Sequence, residues 1–217
     1  MPPEPLVLGF DTSAAHCAAA LLCGDDPVAR RHEEMGRGQA ERLFPLLEEL
    51  LSEAGAGWRD LAGIGVGIGP GNFTGVRISV AAARGLALSL GIPAIGVAGF
   101  DALAEGQPGP VLASLDARRG LAYLALAGDD RPLDPVLGAP DTVALPAPAG
   151  TPCIGHAAET LAARLGSAVR APADPCAVAI ARVAARRLGR RQPRPAPLYV
   201  RPADAAPPAE APPLILP

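Results

Sequence analysis

The chain has 217 residues, 49% of them apolar and 19% charged, with a net charge of −3. That length supports one large or two small domains with a real core, the apolar content excludes a mainly disordered protein, and the charged fraction is below the roughly 25% of an ordinary soluble domain. The charge balance gives no global pull toward nucleic acid or an anionic membrane, so any RNA contact has to come from a local patch or through a partner.

The opening Met1-Pro2-Pro3-Glu4 has neither the positive region nor the apolar stretch of a signal peptide. Residues 6–12 form a short run of strand formers, a turn follows at 13–16, and residues 17–22 are a second apolar run. The turn signal Gly24-Asp25-Asp26-Pro27 then leads to a third, more polar strand at 28–34. This reads as a three-stranded meander with its last strand at an edge. Helical period follows over 39–54, where Leu43, Leu46, Leu47, Leu50 and Ala54 share a stripe that Phe44 and Leu51 widen. Pro45 is expected to kink the helix, and Gly55 to stop it.

Residues 61–68 are a continuous apolar strand of the kind buried on both faces of a sheet. A glycine-rich loop at 69–75 leads into a second helix at 76–90, and a further strand is expected at 94–97. The most apolar window, 79–100, is interrupted by Arg84 and Pro93, so it reads as a buried helix and a strand, not a membrane span. Three antiparallel strands, helix, strand, helix, strand is the order of a ribonuclease-H-like unit, and two such units make the actin-like ATPase fold shared by sugar kinases, heat-shock chaperones and actin.

The second half starts after Gly106-Gln107-Pro108-Gly109-Pro110. A hairpin is expected from 111–115 and 121–127, joined through Asp116-Ala117-Arg118-Arg119-Gly120. Irregular chain is expected at 130–152, and helices at 157–165 and 176–188. The expected domains are 1–103, a complete first lobe; 104–202, a reduced second lobe; and 203–217, a Pro/Ala-rich tail too poor in buriable surface to stay ordered.

All 19 basic residues are arginine, which excludes a Walker-type phosphate lysine, a Schiff-base lysine and a lysine general base. The informative loop is Gly69-Pro70-Gly71-Asn72-Phe73-Thr74-Gly75, followed by Val76-Arg77. It joins a buried strand to a helix N-terminus that Asn72 or Thr74 is placed to cap, a geometry suited to an anion. Neither the P-loop nor the dinucleotide fingerprint fits, since the first needs lysine and the second a third glycine where Pro70 or Asn72 stands. Two readings stay open: an anion site, or glycines that only permit a tight turn and close packing.

Elsewhere the signals are thinner. Asp11 ends the first strand where actin-like ATPases place a carboxylate near the nucleotide metal, but Thr12-Ser13-Ala14-Ala15 lacks a glycine phosphate hairpin. Cys153 and His156 have half the spacing of a metal site and no second pair. Cys17, Cys23, Cys153 and Cys176 form no close-spaced framework, so reduced thiols and a cytoplasmic setting are expected. Arg182, Arg186 and Arg190 form a helical stripe with Arg187, Arg191 and Arg194 beside it, read either as a solvated face or as a patch for nucleic-acid phosphates or an acidic partner.

On the loop and its continuation Gly85-Leu86-Ala87-Leu88, with Phe10-Asp11-Thr12-Ser13, Leu115-Asp116-Ala117-Arg118-Arg119-Gly120 and Leu198-Tyr199-Val200-Arg201, the chain resembles the TsaB family. This is the dimerisation subunit of the bacterial tRNA threonylcarbamoyladenosine machinery. Asn72 stands where the family usually has Ser. The resemblance implies a non-catalytic subunit that heterodimerises with a TsaD-type catalytic subunit to support threonylcarbamoyl transfer to adenosine 37 of tRNAs reading A-starting codons. It also implies a TsaE-type ATPase as partner, a homodimer when alone, tRNA only through the complex, and no membrane. TsaD holds its metal with His-x-x-x-His on a helix, whereas Gly38-Gln39-Ala40-Glu41-Arg42-Leu43 has no histidine, so no metal, no cofactor and no catalytic residue is expected here. Asp11, Thr12, Gly69, Gly71, Asn72, Thr74, Gly75 and Arg77 are the anion or nucleotide-proximal candidates. Leu43, Leu47, Leu50, Leu51, Val76, Val80, Ala83, Leu86 and Ala87 are the interface candidates, with Ala83 and Leu50 expected to face outward. The rival expectation is an autonomous small-molecule kinase or ATPase of the same fold; a peptidase ranks third, for want of a metal or triad.

Overall fold

A computed structural model of the chain describes residues 4–128 and 132–200. The tail 203–217 and Arg201 of the last family motif lie outside the described residues. Two five-stranded sheets carry the fold, ordered β3-β2-β1-β4-β5 and β10-β9-β6-β7-β8. The first sheet contains β1 (Leu6–Asp11), β2 (His16–Cys23), β3 (Asp26–Glu34), β4 (Leu61–Gly67) and β5 (Ala94–Val97). In it β1–β2 and β2–β3 pair antiparallel, while β1–β4 and β4–β5 pair parallel. The second repeats this scheme with β6 (Val111–Asp116), β7 (Ala122–Ala127), β8 (Val136–Gly138), β9 (Cys153–Gly155) and β10 (Val169–Arg170). These are two ribonuclease-H-like lobes of an actin-like fold, and the last three strands of the second lobe are only two or three residues long.

The helices are α1 (Gln39–Glu53), α2 (Phe73–Leu90), α3 (Gly99–Ala104), α4 (Ala158–Leu165) and α5 (Cys176–Arg187). The predicted α1 runs through Pro45 and stops as expected, with Gly55 in the left-handed region at φ 65°. α2 begins three residues earlier than its period suggested, because the Asn72 side chain accepts the Thr74 N–H at 3.2 Å and caps the first turn. The short β8, β9, β10 and α3 escaped the sequence reading, since two to six residues carry no period to detect.

One face of the first sheet carries Leu8, Phe10, Ile64 and Val66 and packs on Leu43, Leu46, Leu47, Leu50 and Leu51 of α1 and Ala83 of α2. Each fully buried leucine there contributes about 1.5–3 kcal/mol. The other face is covered by α5, a helix from the end of the chain, through Ala179, Ile180, Val183 and Ala184 against Val7, Ile95 and Val97. In exchange α3, which follows the first sheet, packs Phe100 and Ala104 on Val111, Ala113, Tyr123 and Ala125 of the second. α4 covers that sheet's opposite face. The lobes are thus tied by a reciprocal exchange of helices.

This packing corrects the predicted interface. Leu43, Leu47, Leu50, Leu51, Val76, Val80 and Ala83 are all buried by the chain itself, and Ala83 and Leu50 face inward on the first sheet. A helix presents its most apolar stripe to its own sheet first, and the sequence pattern does not separate that stripe from a docking face. Leu86 and Ala87 are half-buried. The outward face consists instead of Ala40 and Phe44 of α1 with Ala81, Gly85 and Leu88 of α2, Leu88 being 87% exposed. α2 is the one described helix long and apolar enough in composition to cross a membrane, yet its inner side is seated on the sheet. A Cβ added at Gly85 meets nothing within 4 Å. Gly85→Ala is therefore expected to stabilise the free chain by about 1 kcal/mol, raising its Tm by about 2–4 °C in a thermal melt.

The arginines of α5 are structural ties. Arg186 pairs with the buried Glu105, Arg187 reaches Asp101 at 2.9 Å, and Arg182 lies 2.9 Å from Asp174 while donating to Asp25 O at 2.7 Å. Of the predicted basic stripe, these three are neutralised within the chain.

Candidate functional site

Between the lobes opens a cleft of about 600 Å3, floored by the β1–β2 turn, residues 69–72 and the start of α5, and walled by Leu115, Asp116 and Arg118 of the second lobe. Asp11, at the end of β1, is 2% exposed. Its Oδ2 accepts the Ser13 N–H at 3.0 Å and the Ser13 hydroxyl at 2.8 Å, and lies 2.8 Å from His16 Nε2. Its Oδ1 sits over Gly67, where any Cβ would overlap it. Cys176, the first residue of α5, completes a group in which one ligand atom from each of Asp11, His16 and Cys176 lies within 4.8 Å of the others. Burial, and secondarily the Asp11 carboxylate, push the Cys176 thiol above its ordinary range.

The sequence reading had Asp11 without its partners. His16 was legible as a neighbour, since a short turn between antiparallel strands brings residues 11 and 16 to one sheet end; Cys176 was not, because only the return of α5 from the second lobe delivers it. Three side chains able to ligate a metal thus converge here, a grouping the sequence reading did not foresee. Cys153 is buried elsewhere, its thiol beside Thr151 O and Ser167 Oγ, each at 3.7 Å, and belongs to no such group among the described residues.

The glycine loop packs tightly on the β1–β2 turn. Thr12 Oγ1 donates to Gly75 O at 2.7 Å, Asn72 N–H donates to Ser13 O at 2.6 Å, and Cβ atoms at Gly71 or Gly75 would overlap the backbone of Ser13 or Thr12. The glycines let the loop lie directly on the β1–β2 turn, and two of its N–H groups, those of Asn72 and Thr74, are already satisfied within the chain. Gly69, Gly71 and Asn72 line the cleft with Asp11. Thr12 is buried, whereas Thr74 is exposed. Arg77 is turned away: its guanidinium lies 3.7 Å from the Phe73 ring centroid and donates to Tyr199 Oη at 2.9 Å, on the outer side of α2.

Across the cleft, Arg118 and Arg119 hold φ of 62° and 54°, left-handed conformations that cost a non-glycine residue on the order of 1–3 kcal/mol. The Arg118 N–H donates to Asp116 Oδ1 at 2.7 Å, which fixes the turn.

A model of the family described as TsaD, tRNA N6-adenosine threonylcarbamoyltransferase, matches residues 32–144, 113 of the 217. The chain is 36% identical over 124 residues to the tRNA threonylcarbamoyladenosine biosynthesis protein TsaB of Escherichia coli, covering 55% of this chain and 53% of that protein. It is 36% identical over 126 residues to TsaB of Bacillus subtilis, covering 55% and 54%. The chain thus spans about half the length of the curated relatives it matches. Among solved structures, YeaZ from Pseudomonas aeruginosa superposes with a TM-score of 0.70 at 27% identity, over 90% of this chain and all of that one. Component A of (R)-2-hydroxyglutaryl-CoA dehydratase from Acidaminococcus fermentans, with a TM-score of 0.54 at 10% identity over 85% and 99% of the two chains, shares the fold alone. By the family-model match over more than half its length, the chain belongs to the family whose model is described as TsaD, and the named relatives it resembles within that family are TsaB proteins.

Proposed function

We propose that this chain is a non-catalytic partner subunit that docks on a TsaD-type catalytic subunit and supports threonylcarbamoyl transfer to adenosine 37 of tRNAs that read codons beginning with A. The observation that carries this reading is the open apolar face of α1 and α2. Phe44 is 43% exposed and Leu88 87%, flanked by Ala40, Ala81 and Gly85, with a groove running between the two helices. Exposed apolar residues grouped on two adjacent helices favour a protein partner. Family membership says which partner to test first. Relatives named for threonylcarbamoyladenosine biosynthesis support the pathway, and α1 lacks the paired histidines expected of the catalytic subunit.

In this reading the chain meets tRNA only through the complex, a TsaE-type ATPase joins the assembly, the free chain self-associates through the same face, and the work is done in the cytoplasm. Co-expression with a TsaD-type subunit is expected to give co-elution in size-exclusion chromatography and tRNA modification in a reconstituted assay that neither protein supports alone. Separate elution, together with ATP turnover by the purified chain and magnesium, would instead favour the autonomous kinase.

A further inference from the structure

The geometry points to a transition-metal site in the interlobe cleft, held by Asp11, His16 and Cys176 and accepting a zinc-class divalent cation. The three donors come from three elements: the end of β1, the start of β2 and the first residue of α5. They differ in kind, a carboxylate oxygen, an imidazole nitrogen and a sulfur, and this mixed set suits zinc and excludes calcium or magnesium, which take oxygen ligands. In four-coordinate zinc, with bonds of about 2.0–2.3 Å, neighbouring donor atoms stand roughly 3.3–3.8 Å apart. Here all three lie within 4.8 Å of one another, and His16 Nε2 and Asp11 Oδ2 are 2.8 Å apart. Seating an ion requires that pair to part by about 0.5 Å and the sulfur to stand within about 3.8 Å of both.

Three further features belong to a built site. The Ser13 N–H and hydroxyl both donate to the Asp11 carboxylate, as outer-shell partners orient a metal-binding carboxylate. Gly67 clears the space beside Oδ1 that any side chain would fill. The Cys153 thiol has polar neighbours, whereas the Cys176 thiol makes no hydrogen bond among the described residues. It sits at the first residue of α5, facing the cleft. Three protein donors with the cleft beside them leave a fourth position for water or a ligand oxygen, the pattern of zinc sites that are not purely structural. Asp116, Arg118 and Asp174 line the same cleft, and Arg118 is placed to meet an anion arriving at that open position. Binding exchanges the thiol proton for the metal, so one proton leaves to solvent per ion bound.

This site is independent of the docking face, and its test needs no partner. The full-length chain, reduced and stripped with chelator, is titrated anaerobically with Co2+ as the probe, and Zn2+ uptake is counted by mass spectrometry. One equivalent of Co2+ is expected to produce a thiolate-to-cobalt charge-transfer band with the visible bands of a four-coordinate ion, and Zn2+ is expected to abolish both. Cys176→Ser loses the charge-transfer band. His16→Gln, on a different element, weakens Co2+ binding by about 100-fold or more, beyond the roughly 10–100-fold that outer-shell partners are worth. Cys153→Ser changes neither. Circular dichroism of each metal-free variant shows that its fold persists, and should one variant unfold, the other decides. No band at stoichiometric Co2+, or a band retained in Cys176→Ser, overturns the site.

Discussion

Ala81→Arg and Gly85→Arg are each expected to abolish co-elution with a TsaD-type subunit while leaving the circular dichroism of the free chain unchanged and its thermal melt cooperative, with no loss of Tm at Gly85. Both positions are exposed on α2, and a side chain at Gly85 enters open space, so neither substitution meets the chain's own core. In a docked complex the same guanidinium sits in an apolar interface without a counter-ion. A central position of that kind is worth 2 kcal/mol or more, about 30-fold in affinity. Leu50→Asp is the contrasting case: Leu50 is wholly buried against the first sheet, and a charge there unfolds the lobe. Retained co-elution of the arginine variants would remove the α1/α2 face as the docking surface. A collapsed melt would show that the face is covered by the chain itself.

Gly65→Val is expected to destabilise the protein by about 3 kcal/mol, read as a lower urea midpoint with an unchanged slope. By strand propensity alone valine improves a central strand, so the expected sign runs against the local rule. The reason lies across the sheet. A Cβ at Gly65 stands 2.7 Å from Ala184 Cβ and 2.9 Å from Ile180 O, and one at the adjacent Gly9 stands 2.6 Å from Ala177 O and 2.7 Å from Ala181 Cβ. The glycines of β1 and β4 and the alanines of α5 bring helix and sheet into near-backbone contact, and a larger side chain lifts α5 away. Because α5 also carries the ties from Arg186 to Glu105 and from Arg187 to Asp101, lifting it loosens α3 and the second lobe. A milder Gly65→Ala paired with Ala184→Gly recovers part of the loss if the clash is direct, and a double-mutant cycle measures that coupling. A Gly65→Val protein as stable as the parent would show that α5 does not need this close approach.

Local chemistry in the chain was sufficient for the first lobe. Alternating and continuous apolar runs placed β1 to β5 within a residue or two, leucine spacing placed α1, and apolar period placed α2 except for its first turn, which Asn72 caps. These signals are short-range, so they survive without knowledge of what each element packs on. The arginine-only basic set and the histidine-free head of α1 likewise set limits on the chemistry that no folding changes.

What the chain pattern left open was which apolar face meets what. Leu43, Leu50, Val80 and Ala83 have the same composition as a docking stripe, and only their seat on the sheet shows that they belong to the core. The stripe of Arg182 and Arg186 reads as a solvated face until Asp174 and Glu105 come opposite it. The Asp11, His16 and Cys176 group depends on a helix that leaves the second lobe and returns to the first, joining residues 160 or more positions apart. Periodicity reports how a residue is oriented within its own element. Contacts between distant elements follow from the helix exchange between lobes, whose energy comes from burial and close packing summed over the whole molecule, and no local window contains that sum.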